Sequence, residues 1–309
     1  MPHLATPPGS TPLVSIRLDP DSPAIWCKLE YLSPSGSTKD RIATFILHKG
    51  LDTGAVRPGD TVVEASSGST SIAFALACAQ LGLRFIAVMP EGVSNERVLM
   101  IRAFGGEVRF TPAAEGVRGS IVAAEALGRE SNAFLPRQFS NPDNARAHQL
   151  GTAREIDIAI GGGIHAVVSG VGTGGTLVGL CAGLRSTSPN LRPILARPVE
   201  IAESLDAECC SFSTQIPGVV DGLSQLFRAD DFPGIIGIDV PQELALATAR
   251  RLIRAGFPVG PSSGLNYAAA LLAAPKLPPD ARIVTVFPDR MERYFTTLLF
   301  APFASRTEP

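Results

Sequence analysis

Lys39 is the residue of this sequence whose surroundings are best suited to nucleophilic chemistry. It follows a turn rich in hydroxyl groups, residues 33–37, and stands at the start of a predicted helix with Ser37 or Thr38 as its N-cap. The N-terminal end of a helix disfavours a cation, so we expect the pKa of the Lys39 amine to be lowered. A lysine amine made neutral in this way can form an imine with an aldehyde.

A glycine-rich loop, residues 172–176, lies between a predicted strand and a predicted helix. It consists of Gly172, Thr173, Gly174, Gly175 and Thr176. Closely spaced glycines let backbone N–H groups converge on an anion, and the dipole of the following helix adds attraction. The loop contains no lysine, and its spacing differs from the motifs that bind nucleoside triphosphates and dinucleotides. It therefore favours a single phosphate monoester held by neutral donors.

A second anion site is predicted at residues 66–70, which follow a strand and open another helix. Ser66, Ser67, Ser69 and Thr70 in this segment all carry hydroxyl groups. Helix capping needs only one such residue, so the segment suits the binding of a carboxylate. An imine-forming lysine, a phosphate site and a carboxylate site are together what pyridoxal 5'-phosphate and an amino-acid substrate require.

The elements that must position these loops alternate between strands and helices along the chain. The predicted strands are residues 24–30, 61–65, 85–90, 107–110, 166–169, 193–196 and 283–287. The predicted helices include residues 72–83, 94–104, 116–127, 241–255 and 264–273. This order indicates an α/β fold with mostly parallel twisted sheets flanked by helices. In such folds ligands bind beyond the carboxyl ends of the strands.

The composition argues against several classes of protein. Of the 309 residues, 45% are hydrophobic and 18% are charged, which is not the composition of a disordered chain. A formal net charge of −2 gives no support for binding to nucleic acid or to an anionic membrane surface. Residues 166–184 carry no charge, but the glycines among them make one continuous membrane helix costly.

The cysteines and the N-terminal residues bear on metal binding and on location. The five cysteines include no CxxC spacing and there are only four histidines, so we expect buried thiols and no metal site. The N-terminus lacks a basic segment followed by an apolar one, which favours a cytoplasmic protein.

Taken in order, these motifs resemble the cysteine synthase and cystathionine β-synthase family of fold-type II pyridoxal-phosphate enzymes. The similarity runs from residues 9–14 to residues 289–294 and so covers nearly the whole chain. It implies a two-domain fold like that of the tryptophan synthase β subunit. The larger, cofactor-binding domain would comprise residues 1–34 and 142–309, and a smaller mobile domain residues 35–141. The resemblance also implies a homodimer.

The resemblance assigns a role to the residues of each motif. Lys39 is similar to the family's Schiff-base lysine, and residues 172–176 are similar to its phosphate loop. Ser262 resembles a serine that hydrogen-bonds the pyridine nitrogen of the cofactor. A hydroxyl, unlike a carboxylate, does not hold this nitrogen protonated, so the ring is a weaker electron sink. That property favours the loss of a β-substituent over transamination.

The substrate side of the resemblance rests on residues 66–70 and on Gln138. Ser66, Ser67 and Thr70 resemble the loop that binds the substrate carboxylate, which Gln138 would join. Ser69 stands where the family usually has an asparagine that contacts the ring hydroxyl of the cofactor. Asp221, within residues 217–223, is a second departure from the family pattern; it could repel an anionic donor or accept a hydrogen bond from the nucleophile.

The implied activity is β-replacement on an activated L-serine, either O-acetylserine or O-phosphoserine, through an aminoacrylate intermediate. With sulfide as the nucleophile the product would be L-cysteine. One alternative is a different nucleophile, which would give a specialised β-substituted alanine. Another is a β-eliminating lyase, either a cysteine desulfhydrase or a serine/threonine dehydratase. A partner-binding protein that has lost its chemistry is disfavoured because Lys39 and both anion loops are intact.

Overall fold

The computed structural model describes residues 9–199 and 223–304. The described strands are β1 Leu13–Ile16, β2 Ile25–Lys28, β3 Thr61–Ala65, β4 Arg84–Pro90, β5 Glu107–Thr111, β6 Ala166–Gly170, β7 Arg192–Val199, β8 Ile236–Pro241 and β9 Ile283–Val286. The described α-helices are α1 Lys39–Asp52, α2 Ser69–Leu81, α3 Asn95–Ala103, α4 Gly116–Ser131, α5 Asp143–Ala147, α6 Ala153–Ile160, α7 Gly175–Leu184, α8 Gln242–Arg254, α9 Pro261–Ala273 and α10 Ala301–Ala304.

The strands form two separate sheets that are mostly parallel. A six-stranded sheet has the order β1-β2-β9-β6-β7-β8, in which only the β1–β2 pair is antiparallel. A three-stranded parallel sheet has the order β3-β4-β5. The prediction of an α/β fold with mostly parallel sheets flanked by helices is therefore confirmed.

Each sheet packs against helices through a core of fully buried apolar side chains. In the larger sheet, Ile25 and Val168 pack against α9, which contributes Tyr267 and a run of small residues. In the smaller sheet, Val62 and Phe85 lie against α1 and α2. Helix α2 is buried around most of its circumference, which explains why its sequence is rich in alanine rather than amphipathic.

Two helices begin earlier than the sequence pattern predicts. Helix α2 begins at Ser69 rather than at residue 72, so Ser69 and Thr70 belong to its first turn. Helix α9 begins at Pro261 rather than at residue 264, since a proline fits the first position of a helix without losing a hydrogen bond. Both corrections move predicted site residues from loops onto helix N-terminal turns.

Strand β8 and the helices between residues 143 and 160 were not predicted. Strand β8 contains Gly237 and Asp239 and ends at Pro241, residue types that are depleted in strands, so its own β propensity is low. Its pairing with β7 and the burial of Ile238 and Val240 stabilise it instead.

A cluster of buried charges fixes the start of α1 against the larger sheet. Arg41 in α1 donates to Glu30 at 2.5 Å and to Glu155 of α6 at 2.7 Å. Lys28 at the end of β2 donates to Glu155 at 2.6 Å. Burial opposes the ionisation of Glu30, but Arg41 and Lys28 outweigh it and hold the pKa of this carboxyl below its usual value. The cluster thereby anchors the helix turn that carries Lys39.

We predict that Glu30→Gln lowers the free energy of unfolding by about 3 kcal/mol, because it leaves Arg41 as a buried, poorly paired charge. The matched control is Glu107→Gln, which breaks an exposed pair with Arg109 and is expected to cost less than about 1 kcal/mol. Urea unfolding at pH 7 measures both. Equal losses in the two variants would contradict the anchoring role.

Candidate active site

One cleft lies beyond the carboxyl ends of β3, β6 and β9, where the helices α1, α2, α7 and α9 begin. Its volume is about 950 Å³, part of which is open to solvent. The predicted site residues that line it are Lys39, Ser66, Ser67, Ser69, Thr70, Gln138, Gly172, Thr173, Gly174, Thr176 and Ser262. Gly175 is the one predicted site residue that does not line it. The three motifs are thus adjacent in space although far apart in sequence.

Lys39 is the first residue of α1, and its backbone N–H donates to the side-chain oxygen of Ser37 at 3.1 Å. The pKa of its amine is lowered, chiefly by burial, while Asp289 raises it and Arg293 lowers it further. The direction agrees with the prediction from sequence. The dominant cause is burial rather than the position at a helix N-terminus.

The glycine loop is shaped to bring backbone close to a ligand. Gly174 has a φ of +84°, and a Cβ there would lie 2.3 Å from Phe227. A Cβ on Gly175 would lie 1.9 Å from the side-chain oxygen of Asn144, so only glycine fits beneath the loop. The Asn144 amide donates to Thr173 Oγ1 at 2.9 Å, which leaves the Thr173 hydroxyl hydrogen free to donate.

This loop fits a phosphate group. The first N–H groups of α7 have no acceptor within the helix, and they open onto the cleft beside the hydroxyls of Thr173 and Thr176. Thr38 adds a buried hydroxyl that lines the same cleft and has no partner among the described residues. The donors of this loop are neutral N–H and hydroxyl groups, the kind that the sequence predicted for a phosphate monoester.

The hydroxyl segment 66–70 offers donors to a carboxylate. Ser66 Oγ accepts hydrogen bonds from the backbone of Gly68 at 2.9 Å and of Ser71 at 3.3 Å, so its own hydrogen remains available. Thr70 donates to the Gln138 side-chain oxygen at 2.7 Å. The Gln138 amide donates one hydrogen to the Ala65 carbonyl at 2.6 Å and keeps a second. Gln138, Ser66 and Ser67, whose hydroxyl makes no hydrogen bond among the described residues, are therefore the side chains with spare donors here.

Ser69 has a partner that the sequence did not reveal. Its hydroxyl donates to Oδ2 of Asp289 at 2.8 Å. Because a hydroxyl has one hydrogen, Ser69 presents only lone pairs to the cleft, unlike the asparagine amide that usually stands at this position.

Ser262 lies in the first turn of α9, directly after Pro261. One turn further along, Asn266 accepts from the backbone of Gly170 at 2.7 Å and donates to the carbonyl of Val286 at 2.8 Å. These two bonds join α9 to β6 and β9, and so they fix where Ser262 faces the cleft.

Sequence reasoning missed four supporting residues: Asn144, His148, Asn266 and Asp289. His148 is buried in a π-helical turn after α5, 3.2 Å from Thr176 Oγ1 and 3.0 Å from Thr152 Oγ1. Burial, together with Arg41 and Lys39, holds its pKa well below the usual value, so the ring is neutral. Asn266 lies four residues after Ser262, a spacing that places both on one helix face only because α9 begins at Pro261 and not at the predicted residue 264.

Asp221 and its neighbours up to residue 222 lie outside the described residues, so their relation to the cleft stays a prediction; Leu223 lines it. Within the described ranges, no helix has the length and apolarity needed to cross a membrane.

Comparison with known proteins agrees with this geometry. The family model for "Pyridoxal-phosphate dependent enzyme" matches residues 4–289. The chain is 38% identical over 301 residues to cysteine synthase B of Campylobacter jejuni, covering 95% of this chain and 96% of the relative. The chain therefore belongs to the pyridoxal-phosphate-dependent enzymes, in the family that includes the cysteine synthases.

Two solved structures share the whole fold. The crystal structure of an O-ureido-L-serine synthase superposes with a TM-score of 0.85 and 32% identity, covering 98% of this chain and 95% of that one. The crystal structure of an O-acetylserine-dependent cystathionine β-synthase from Helicobacter pylori has a TM-score of 0.83 and 32% identity, covering 97% and 100%.

Behind the carboxylate segment lies a buried acid, Glu64 of β3. Its two side-chain oxygens accept from the backbone N–H groups of Ala65 at 2.9 Å and Gln138 at 3.1 Å. Burial raises its pKa from 4.5 to about 8. The folded protein thus keeps a proton that the unfolded chain releases between these pH values, and stability falls as the pH rises through this window.

We predict that raising the pH from 6 to 9 costs the wild-type protein about 2 to 3 kcal/mol of unfolding free energy through Glu64. Glu64→Gln has no carboxyl to ionise, so its stability should change less over the same range. Urea unfolding of both proteins at pH 6 and pH 9 measures the difference. If the two lose the same free energy, Glu64 does not carry a raised pKa.

Proposed function

We propose that this protein catalyses a pyridoxal 5'-phosphate-dependent β-replacement on an activated L-serine, O-acetylserine or O-phosphoserine, with sulfide as the nucleophile and L-cysteine as the product. The observation that carries the proposal is the meeting of Lys39, the glycine loop and the hydroxyl segment around one cleft. The similarity to a cysteine synthase over nearly the whole chain supports the reaction class.

The cofactor would be held at four places. Lys39 would bind it covalently, and the phosphate would lie on Gly172, Thr173, Gly174, Gly175 and Thr176. Ser262 would hydrogen-bond the ring nitrogen, and Ser69 would face the ring as a hydrogen-bond acceptor. When bound, pyridoxal phosphate supplies an electron-withdrawing ring that makes the α-hydrogen of an attached amino acid acidic.

The protein supplies the base and the orientation of the substrate. Burial lowers the pKa of the Lys39 amine, so more of it is free at neutral pH to take the α-proton. The α-carboxylate would bind to Ser66, Ser67 and the spare N–H of Gln138. Thr70 would contribute by holding Gln138 in place through its 2.7 Å hydrogen bond.

Water must be kept from the reacting carbon, since hydrolysis would compete with replacement. We propose that a smaller domain, residues 35–141, closes on the substrate against a larger domain, residues 1–34 and 142–309. The carboxylate segment and Gln138 belong to the smaller part, so substrate binding would itself favour closure. We also propose a cytoplasmic homodimer with no nucleic-acid or membrane partner, on the resemblance to the family; light scattering of the purified protein measures the subunit number.

We predict that purified protein with pyridoxal phosphate converts O-acetylserine and sulfide to L-cysteine, and that Lys39→Ala lowers the rate by roughly 10³-fold or more. The matched control is Lys49→Ala, which removes an exposed lysine of the same helix and should keep the wild-type rate. Release of pyruvate at one rate, whether or not sulfide is present, would contradict replacement and favour the β-eliminating lyase.

A different nucleophile is the second candidate. The likeness to an O-ureido-L-serine synthase supports it, as does Ser69, whose short side chain leaves room that an asparagine would fill. A panel of thiols, amines and hydroxyureas offered with O-acetylserine, and read by mass spectrometry, separates the two. Preference for a nucleophile other than sulfide under competition favours the second candidate.

A further inference from the structure

Asp289 is a buried carboxylate in the loop after β9, and it lines the cleft that contains Lys39. Three hydroxyl groups point to it. Ser37 Oγ lies 2.5 Å from Oδ1, and Ser69 Oγ and the Tyr294 hydroxyl each lie 2.8 Å from Oδ2. None of the motifs that predicted the cofactor site includes it.

The directions of these hydrogen bonds are fixed by counting hydrogens. An ionised carboxylate can only accept, and each hydroxyl has one hydrogen to give, so all three hydroxyls donate to Asp289. Burial opposes the ionisation of Asp289, but Arg293 and Lys39, followed by the two serines, outweigh it and hold its pKa below the usual value. The carboxylate is therefore charged at neutral pH.

The residues around Asp289 are themselves held by the loops of the cleft. Arg293 is buried and donates to the carbonyls of Ser35 at 2.6 Å and Gly36 at 2.5 Å, and it lies 3.7 Å from Asp289. The backbone carbonyl of Asp289 accepts from Gly260, directly before α9, at 2.8 Å. The carboxylate thus has little freedom to turn away from the lysine loop.

We propose that Asp289 is a positioning residue whose negative charge keeps a proton on the Lys39 nitrogen when the cofactor is attached there. This rests on the proposed function, because it concerns the same lysine. The protonated nitrogen is the form most readily exchanged for the amino group of an incoming substrate. Asp289 thereby limits how far burial lowers the pKa of the Lys39 amine.

Other charged or titratable groups near Lys39 do not supply this charge. Arg293 is a cation and acts in the opposite direction. His148 is neutral because burial lowers its pKa, and Tyr294 is neutral because burial raises its pKa well above the usual value. Among the described residues that act on the lysine, Asp289 is the anion.

The test uses the holoenzyme and the visible absorption band of its lysine-bound cofactor, titrated with alkali. In Asp289→Asn the protonated form of the band is expected to disappear at a lower pH than in the wild type. Tyr294→Phe is the control: it removes one hydrogen-bond donor to Asp289 and leaves the charge, so its midpoint should equal that of the wild type. Asp289→Ser serves as a second neutral variant if the asparagine protein does not fold.

A second readout does not depend on the cofactor. After the cofactor is removed, acetic anhydride labelling of Lys39 at pH 8 should be roughly three- to tenfold faster in the neutral variants, because more of the amine is unprotonated. A wild-type protein that never acquires a visible band overturns the proposed function itself. A band with a wild-type midpoint, and wild-type labelling, in both neutral variants overturns the role of Asp289 alone.

Discussion

The meeting of four helix N-termini at one cleft is the arrangement on which this site depends. Helices α1, α2, α7 and α9 all begin at one cleft, and the first N–H groups of a helix have no acceptor within it. Buried N–H groups need acceptors, so the cleft calls for anionic or strongly accepting ligands. The phosphate and the substrate carboxylate that we propose to bind here would meet this need, and Asp289 is an anion of the protein itself that lines the same cleft.

The surroundings of Lys39 in this cleft bear on the two roles that we propose for it, covalent anchor and base. Burial and, to a lesser extent, nearby Arg293 lower the pKa of its amine, while Asp289 raises it. The buried charges of Glu30 and Arg41 keep the helix turn that bears the lysine in place. The pKa of the Lys39 amine thus depends on a balance of opposing effects and not on a single neighbour.

Local sequence pattern was sufficient for the parts of the site that are continuous in the chain. Three segments each combine a strand end, a polar loop and a helix start: residues 33–39, 66–70 and 172–176. Residues of all three line the cleft. Asp289 could not be found in this way, because only the fold brings it to the cleft, where its carboxylate accepts a hydrogen bond from Ser69, 220 residues away in sequence. His148 likewise reads as an ordinary core residue until the fold places it beside Thr176.

The strands and helices likewise were predicted where the local sequence determines them and missed where contacts with distant residues do. Strand β3 was predicted to the residue, since its apolar run is bounded by polar turns. Strand β8 was missed because its pairing with β7, and not its own propensity, makes it a strand. The starts of α2 and α9 were placed three residues late, where serines and a proline resemble a loop.

Reductive trapping tests the central claim most directly. Borohydride treatment of the protein loaded with pyridoxal phosphate, followed by digestion and peptide mass spectrometry, locates any covalent link. The account predicts one phosphopyridoxyl group on the peptide that contains Lys39, in nearly every molecule. A protein that traps no cofactor, or traps it at a different lysine, contradicts the account.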